Sequence, residues 1–94
     1  MIIIAGHQLV DAADRDVHVE ACRGLVSRAR KADGCIHFAM TADSVEPERI
    51  NLAEVWRDAD ALDAWRKRAR GPRGAKPHHV DIKRYDATDG GALF

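Results

Sequence analysis

The sequence has few cysteines and no long apolar run. Its two cysteines, among 94 residues, form neither a Cys-x-x-Cys pair nor a zinc-like spacing, and they are too few for a disulfide scaffold. The longest apolar run, Met1 to Ala5, is far shorter than a transmembrane helix and lacks the architecture of a signal peptide. We therefore expect a protein of the reduced cytoplasm with no membrane partner.

The sequence also lacks a net charge and has few aromatic residues. Fifteen Lys and Arg balance fifteen Asp and Glu, so no global field attracts nucleic acid. Aromatic residues make up only 5% of the chain, and only Phe38 could stack a base from a central strand, so we expect no nucleic-acid partner. No Gly-rich phosphate loop or set of metal ligands occurs, and we expect no cofactor and no metal.

The remaining composition, 46% hydrophobic and 32% charged, is typical of one globular domain over residues 1–94. Six segments within it carry the period of a strand or of a helix. They are a strand from Ile2 to Val10, one helix from Asp11 or Asp14 to about Ala32, strands from Cys35 to Thr41 and from Ile50 to Trp56, a helix from Asp58 or Asp60 to about Ala69, and a strand from about His79 to Tyr85. Residues 87–94 are predicted to form a C-terminal tail.

This order is β-α-β-β-α-β, which predicts an α+β, ferredoxin-like fold with helices on one face of a four-stranded antiparallel sheet. The first strand is apolar at both parities. We therefore expect Ile2, Ile4 and Val10, with their strand neighbours, to give the sheet a second apolar face. Because a soluble monomer rarely exposes such a patch, we predict a homodimer through the sheet face.

Glu54 and Trp56 lie two positions apart at the end of the third predicted strand, so they point to the same face. A helix must pack over that face, which predicts an apolar pocket containing one or two polar groups. A buried carboxylate needs a partner, and Arg66 is the expected one. Either a structural Glu54–Arg66 pair or an acid/base role for Glu54 fits this pattern, and Trp56 is either plain core or a pocket wall.

Three short patterns occur in order along the chain: Gly34-Cys35-Ile36-x-Phe38, the Pro-containing hairpin from Asp43 to Pro47, and Glu54-x-Trp56 followed by Ala61-Leu62. Through this set the chain resembles the antibiotic biosynthesis monooxygenase (ABM) family of dimeric α/β-barrel proteins, from Ile2 to about Tyr85. The family includes cofactor-free oxygenases of anthrone-like polyketides, quinol monooxygenases and heme-degrading oxygenases. The resemblance implies a cofactor-independent monooxygenase that uses dioxygen on a small aromatic, quinol or polyketide-like substrate.

The chain departs from the family pattern at three places. Family members often carry a His in the second helix, where this chain has Trp65. Some oxygenases of the family line their pocket with an Asn and a Trp on one strand face, but here Asn51 has the opposite parity to Trp56. Heme-degrading members hold iron through a helical His, and only His18 lies in a predicted helix, so heme degradation is the weaker alternative.

For an enzyme of this kind, His7 is the predicted proton acceptor, because we expect it to share the face of Trp56. Arg66 or Trp65 would donate to the developing oxyanion. The predicted substrate-binding residues are Phe38, Leu52, Glu54, Trp56 and Trp65.

Two other classes of function stay open. One is a carrier of a small hydrophobic ligand, and the other is an assembly domain whose pocket is closed by Trp56 and Trp65. The basic run from Arg66 to Lys76 contains no acid. This run is expected either to be a solvent-exposed helix end or to lie at the entrance of the pocket, where it would attract an acidic or phenolate ligand.

Overall fold

The computed structural model describes all residues from Met1 to Phe94. Four strands and three helices follow the chain in the order β1 (Ile2–Leu9), α1 (Ala12–Ala21), α2 (Arg23–Arg30), β2 (Cys35–Ala42), β3 (Arg49–Trp56), α3 (Ala59–Arg68) and β4 (His79–Asp86). The strands form one antiparallel sheet in the order β2-β3-β1-β4. The predicted ferredoxin-like fold is confirmed, and no helix or strand follows Asp86.

The single helix predicted from Asp11 or Asp14 to Ala32 is wrong, because the segment divides into α1 and α2 at Cys22. The Cys22 N–H donates to the carbonyls of both His18 and Val19, which tightens the turn there. The two helices differ in burial, since α1 has no buried residue and α2 has one. Ala29 is fully buried, whereas Val17 of α1 is 73% exposed.

Two local features set the ends of the helical segments. Gly34 has a φ of 80°, a left-handed conformation that glycine adopts without strain, and it turns the chain from α2 into β2. The Asp58 side chain accepts a hydrogen bond of 2.8 Å from the Ala61 N–H, so Asp58 rather than Asp60 caps α3. From this capped start, α3 contributes Leu62 and Trp65 to the core.

Strand register decides which side chains face the helices. Ile2 pairs with Trp56 and Ile4 with Glu54, so the even positions of β1 share the face of Trp56. The prediction that Ile2, Ile4 and Val10 form the second face is therefore wrong, and Ile2 and Val10 are buried on the helix side.

The edge strand β2 changes parity near its start. The pairing shifts between Cys35 and His37, so that Cys35 pairs with Trp56 while His37 pairs with Val55. This bulge brings Cys35 to the helix face together with Phe38 and leaves Ile36 48% exposed.

The other face of the sheet is open. A row of three alanines, Ala39, Ala53 and Ala5, runs across neighbouring strands at its centre. Only 11 of the 94 residues are buried, and all 11 are hydrophobic, so the helices cover one side of the sheet and leave the other accessible. No helix combines the length and apolar character needed to cross a bilayer.

Candidate functional site

A cavity of about 250 Å³ lies between the sheet and the helices α2 and α3. Eight of its ten lining residues are hydrophobic. The two polar ones are Gln8 of β1 and Glu54 of β3. The lining residues are Gln8, Leu25, Phe38, Met40, Ile50, Leu52, Glu54, Trp65, Ala69 and Ile82. An apolar enclosure with few polar groups is the usual form of a small-molecule site.

Strand alternation and helix packing bring these residues together. Phe38 pairs with Glu54 and Met40 with Leu52, so β2 and β3 build one wall of the cavity. Trp65 of α3 closes it from the helix side, with its ring at 74° to that of Phe38 and a centroid distance of 6.3 Å. The predicted substrate-binding residues Phe38, Leu52, Glu54 and Trp65 do line one cavity.

Trp56 lies behind the cavity rather than in its wall. It is fully buried and stacks on Trp65 with ring centroids 6.2 Å apart. Its indole Nε1–H donates a 2.9 Å hydrogen bond to Glu54 Oε1. Trp56 therefore acts on the cavity through Glu54, which it holds in place.

Glu54 is the only carboxylate that lines the cavity, and its environment shifts its titration. Burial raises the pKa of the Glu54 carboxyl above its ordinary value, while the hydrogen bond from Trp56 and the positive charge of Arg66 act in the opposite direction. Burial also raises the pKa of the neighbouring Cys35 thiol, and the charge of Glu54 adds to that shift. A carboxylate with a raised pKa is a stronger base than an ordinary one, so Glu54 is suited to accept a proton from a ligand of the cavity.

Two predicted positions fall outside the cavity. His7 pairs with Asn51 on the open face of the sheet, with its ring 5.7 Å from that of His79, so the prediction that it shares the face of Trp56 is wrong. The error arose because β1 is apolar at both parities. Arg66 is exposed on α3 and forms no ion pair with Glu54, whose hydrogen-bond partner is Trp56 instead.

The sequence interpretation missed six lining residues. Ile82, Ile50 and Met40 carry the same parity as Glu54 on their own strands, and the correct register alone would have identified them. Leu25 and Ala69 approach from the helix side. Gln8 carried the clearest signal, because it is the one polar residue at an even position of a strand whose even face is otherwise apolar or glycine.

Comparison with models of protein families identifies the family of this chain. The family model for antibiotic biosynthesis monooxygenase matches residues 1–84. The chain belongs to the antibiotic biosynthesis monooxygenase family. The comparison with curated proteins gave no match.

Solved structures share the fold of this ABM chain at low identity. A protein of unknown function from Bacteroides thetaiotaomicron, described as a possible oxidoreductase, has a TM-score of 0.75 at 21% identity, covering 89% of this chain and 94% of its own. A proposed antibiotic biosynthesis monooxygenase from Nitrosomonas europaea has a TM-score of 0.71 at 16% identity, with both chains fully covered. Another proposed antibiotic biosynthesis monooxygenase, from Deinococcus radiodurans, has a TM-score of 0.64 at 19% identity, covering 100% of this chain and 99% of its own. These likenesses establish the fold.

Histidine is absent from the lining of this ABM cavity. His18, the only helical histidine, lies at a separate depression beside Gly74 and Arg73. The place in α3 where family members often carry a His holds Trp65, whose indole N–H has no acceptor within the chain. No cluster of three or more His, Cys, Asp or Glu side chains is arranged to hold a metal ion.

Proposed function

We propose that this chain is a cofactor-independent monooxygenase that oxidises a small electron-rich aromatic, quinol or polyketide-like substrate with dioxygen. The observation that carries the proposal is the one carboxylate of the cavity, the half-buried Glu54, in a mostly apolar lining that includes the aromatic rings of Phe38 and Trp65. Membership of the ABM family supports the reaction class. Glu54 replaces His7 as the proposed proton acceptor, because His7 lies on the opposite face of the sheet.

The proposed chemistry starts with removal of a proton from the substrate by the Glu54 carboxylate. The resulting anion is electron-rich enough to transfer one electron to dioxygen, and recombination of the two radicals forms a C–O bond and a peroxide. Glu54 returns its proton to the peroxide to give the hydroperoxide. Loss of the remaining C–H proton with cleavage of the O–O bond then leaves a C=O group, and the departing hydroxide takes up that proton to form water. Overall, a CH₂ group and O₂ give C=O and H₂O, so no external reductant is consumed.

Two other groups support this sequence of steps. Ile4, the strand partner of Glu54, is four residues from Gln8, so the two polar groups lie roughly 13 Å apart along the sheet. The Gln8 amide is thus a candidate to orient the far end of an aromatic substrate. The free indole N–H of Trp65 remains a candidate donor to the developing oxyanion, and the exposed Arg66 contributes only through its charge.

Oxygen uptake with a panel of hydroquinones and anthrone-like compounds tests the proposal. Binding is expected to quench tryptophan fluorescence, and turnover is expected without added metal, flavin or heme. Glu54→Gln retains an oxygen that accepts the Trp56 hydrogen bond but loses the base. It should therefore lower turnover by roughly 100-fold or more. Glu48→Gln, which removes an exposed carboxylate from the turn before β3, is the matched control and should leave turnover unchanged.

Three outcomes would change the assignment. Full turnover by Glu54→Gln would place the base elsewhere. Quenching without oxygen uptake would support a carrier of small hydrophobic ligands. Neither quenching nor uptake across the panel would support an assembly domain whose core is closed by Trp56 and Trp65.

We also propose that the protein works as a homodimer in the reduced cytoplasm. The open sheet face supports the dimer, because the flat row of Ala39, Ala53 and Ala5 allows a second sheet to approach closely. The two free thiols, Cys22 and Cys35, suit a reducing compartment.

A further inference from the structure

The neutral net charge of the chain conceals a strong segregation of charge. Residues 21–32 contain four Lys and Arg, and residues 64–80 contain six, with no Asp or Glu in either segment. Ten of the 15 basic residues therefore lie in two acid-free segments. The fold brings the segments together, since Arg28 Nη2 of α2 donates a 2.8 Å hydrogen bond to the carbonyl of Arg70, just past α3.

A depression of about 300 Å³ lies where these segments meet, lined by Arg28, Lys31, Trp65 and Arg68. We call it the basic groove. The Arg68 guanidinium lies 5.5 Å from the centre of the Trp65 ring. None of the three cations forms an ion pair, whereas Arg57 of the same protein is paired with Asp33 and Asp58 at 3.2 Å. Three like charges around one depression repel one another, and an anion placed among them would relieve that repulsion.

The basic groove adjoins the cavity. Trp65 lines both, so the apolar space and the charged one are neighbours. Leu25 and Ala69, which line the cavity, lie one turn before Arg28 on α2 and directly after Arg68 on α3. The basic groove therefore neighbours the helix side of the cavity.

We propose that the basic groove is an anion subsite for the ligand of the cavity. The ligand is then an amphipathic anion, with an aromatic body beside Trp65 and a carboxylate, sulfonate or phosphate on Arg28, Lys31 and Arg68. This inference rests on the proposed function for the cavity, but it concerns binding and does not require turnover. A nucleic acid fits less well, because Trp65 is only 6% exposed and offers no free face for stacking a base.

Two fluorescent probes with the same aromatic body test the subsite: 1-anilinonaphthalene-8-sulfonate, which carries one negative charge, and the neutral N-phenyl-1-naphthylamine. The sulfonate is expected to bind about 10-fold more tightly at low salt, and this advantage should decline as salt rises. The double variant Lys31→Ala/Arg68→Gln should remove the preference while leaving the affinity for the neutral probe unchanged.

Lys67→Ala/Arg73→Gln is the matched control, because it removes two charges from the same basic segment outside the groove. It should keep the preference, and circular dichroism should show all variants folded, since the four residues are exposed. Equal affinity for the two probes, or a preference that survives Lys31→Ala/Arg68→Gln, would overturn the inference. Displacement of the sulfonate probe by a single-stranded oligonucleotide, with an affinity that falls steeply as salt rises, would also overturn it. The groove would then be part of a surface that binds polyanions. Loss of oxygen uptake alone would bear only on the proposed function.

Discussion

Three factors set the pKa of the Glu54 carboxyl. Burial raises it, whereas the hydrogen bond from the Trp56 indole and the charge of Arg66 lower it. Trp56→Phe isolates one of them. Because the hydrogen bond from Trp56 lowers the Glu54 pKa, its removal is expected to raise that pKa further and to move the rising limb of any pH–activity profile to higher pH. Loss of packing should also lower the free energy of unfolding by about 1–3 kcal/mol.

Carboxyl NMR of selectively labelled Glu54 measures this shift directly. Trp65→Phe is the matched control, because it makes the same Trp→Phe change in the ring stacked on Trp56 without removing a hydrogen bond to Glu54. A Glu54 pKa that stays constant or falls in Trp56→Phe would contradict the role given to the indole.

Residue types alone predicted Phe38, Leu52, Glu54 and Trp65 as pocket residues, because strand alternation links them and α3 covers them. They could not place His7. Both parities of β1 begin with isoleucines, so the choice of face depended on pairing with β3, which is a long-range property. The expected Glu54–Arg66 contact was wrong for a related reason, since a closer donor lay on the same strand face at Trp56.

At the scale of the elements, the turn between β2 and β3 depends on Asp43. Its carboxylate accepts hydrogen bonds from the N–H groups of Val45 and Glu46 and from the Asn51 amide, at 2.8–3.0 Å. The hydrogen bond from Glu46, followed by those from Asn51 and Val45, lowers the pKa of Asp43 from 3.8 to about 2. The ionised form is therefore favoured in the folded state.

Asp43→Asn should destabilise the protein in a pH-dependent way. A folded-state pKa below the unfolded one contributes stability that is present above the unfolded pKa and is lost as pH falls through about 2. The deficit of the variant in urea unfolding should accordingly be complete at pH 6 and shrink between pH 4 and pH 2. Asp63→Asn on α3, where the carboxylate has no partner, should show no such trend. A constant deficit for Asp43→Asn would contradict the account.

Element boundaries were predictable to within a residue or two wherever periodicity ended at a turn residue or a cap, as at Gly34 and Asp58. The division of the first helix at Cys22 was not, because the helical spacing of apolar residues continues across it. The bulge at Ile36 was equally hidden, since one extra residue in an edge strand leaves no mark on composition.

At the scale of the whole molecule, the open sheet face predicts the oligomeric state. Sedimentation is expected to show a species of twice the 10.4 kDa monomer mass. Ala53→Arg places a charge at the centre of the open face and should yield a folded monomer, whereas Ala53→Ser should remain dimeric. A wild-type monomer, or a dimer that tolerates Ala53→Arg, would show that this face is not the interface.

The proposed reaction takes place between dioxygen and an aromatic substrate in the cavity beside Glu54. The most direct measurement is turnover of a responsive quinol or anthrone under ¹⁸O₂, followed by mass spectrometry of the product and of the water. The account predicts one labelled atom in the organic product and the other in water, with both signals strongly reduced in Glu54→Gln. An unlabelled product accompanied by stoichiometric hydrogen peroxide would contradict it.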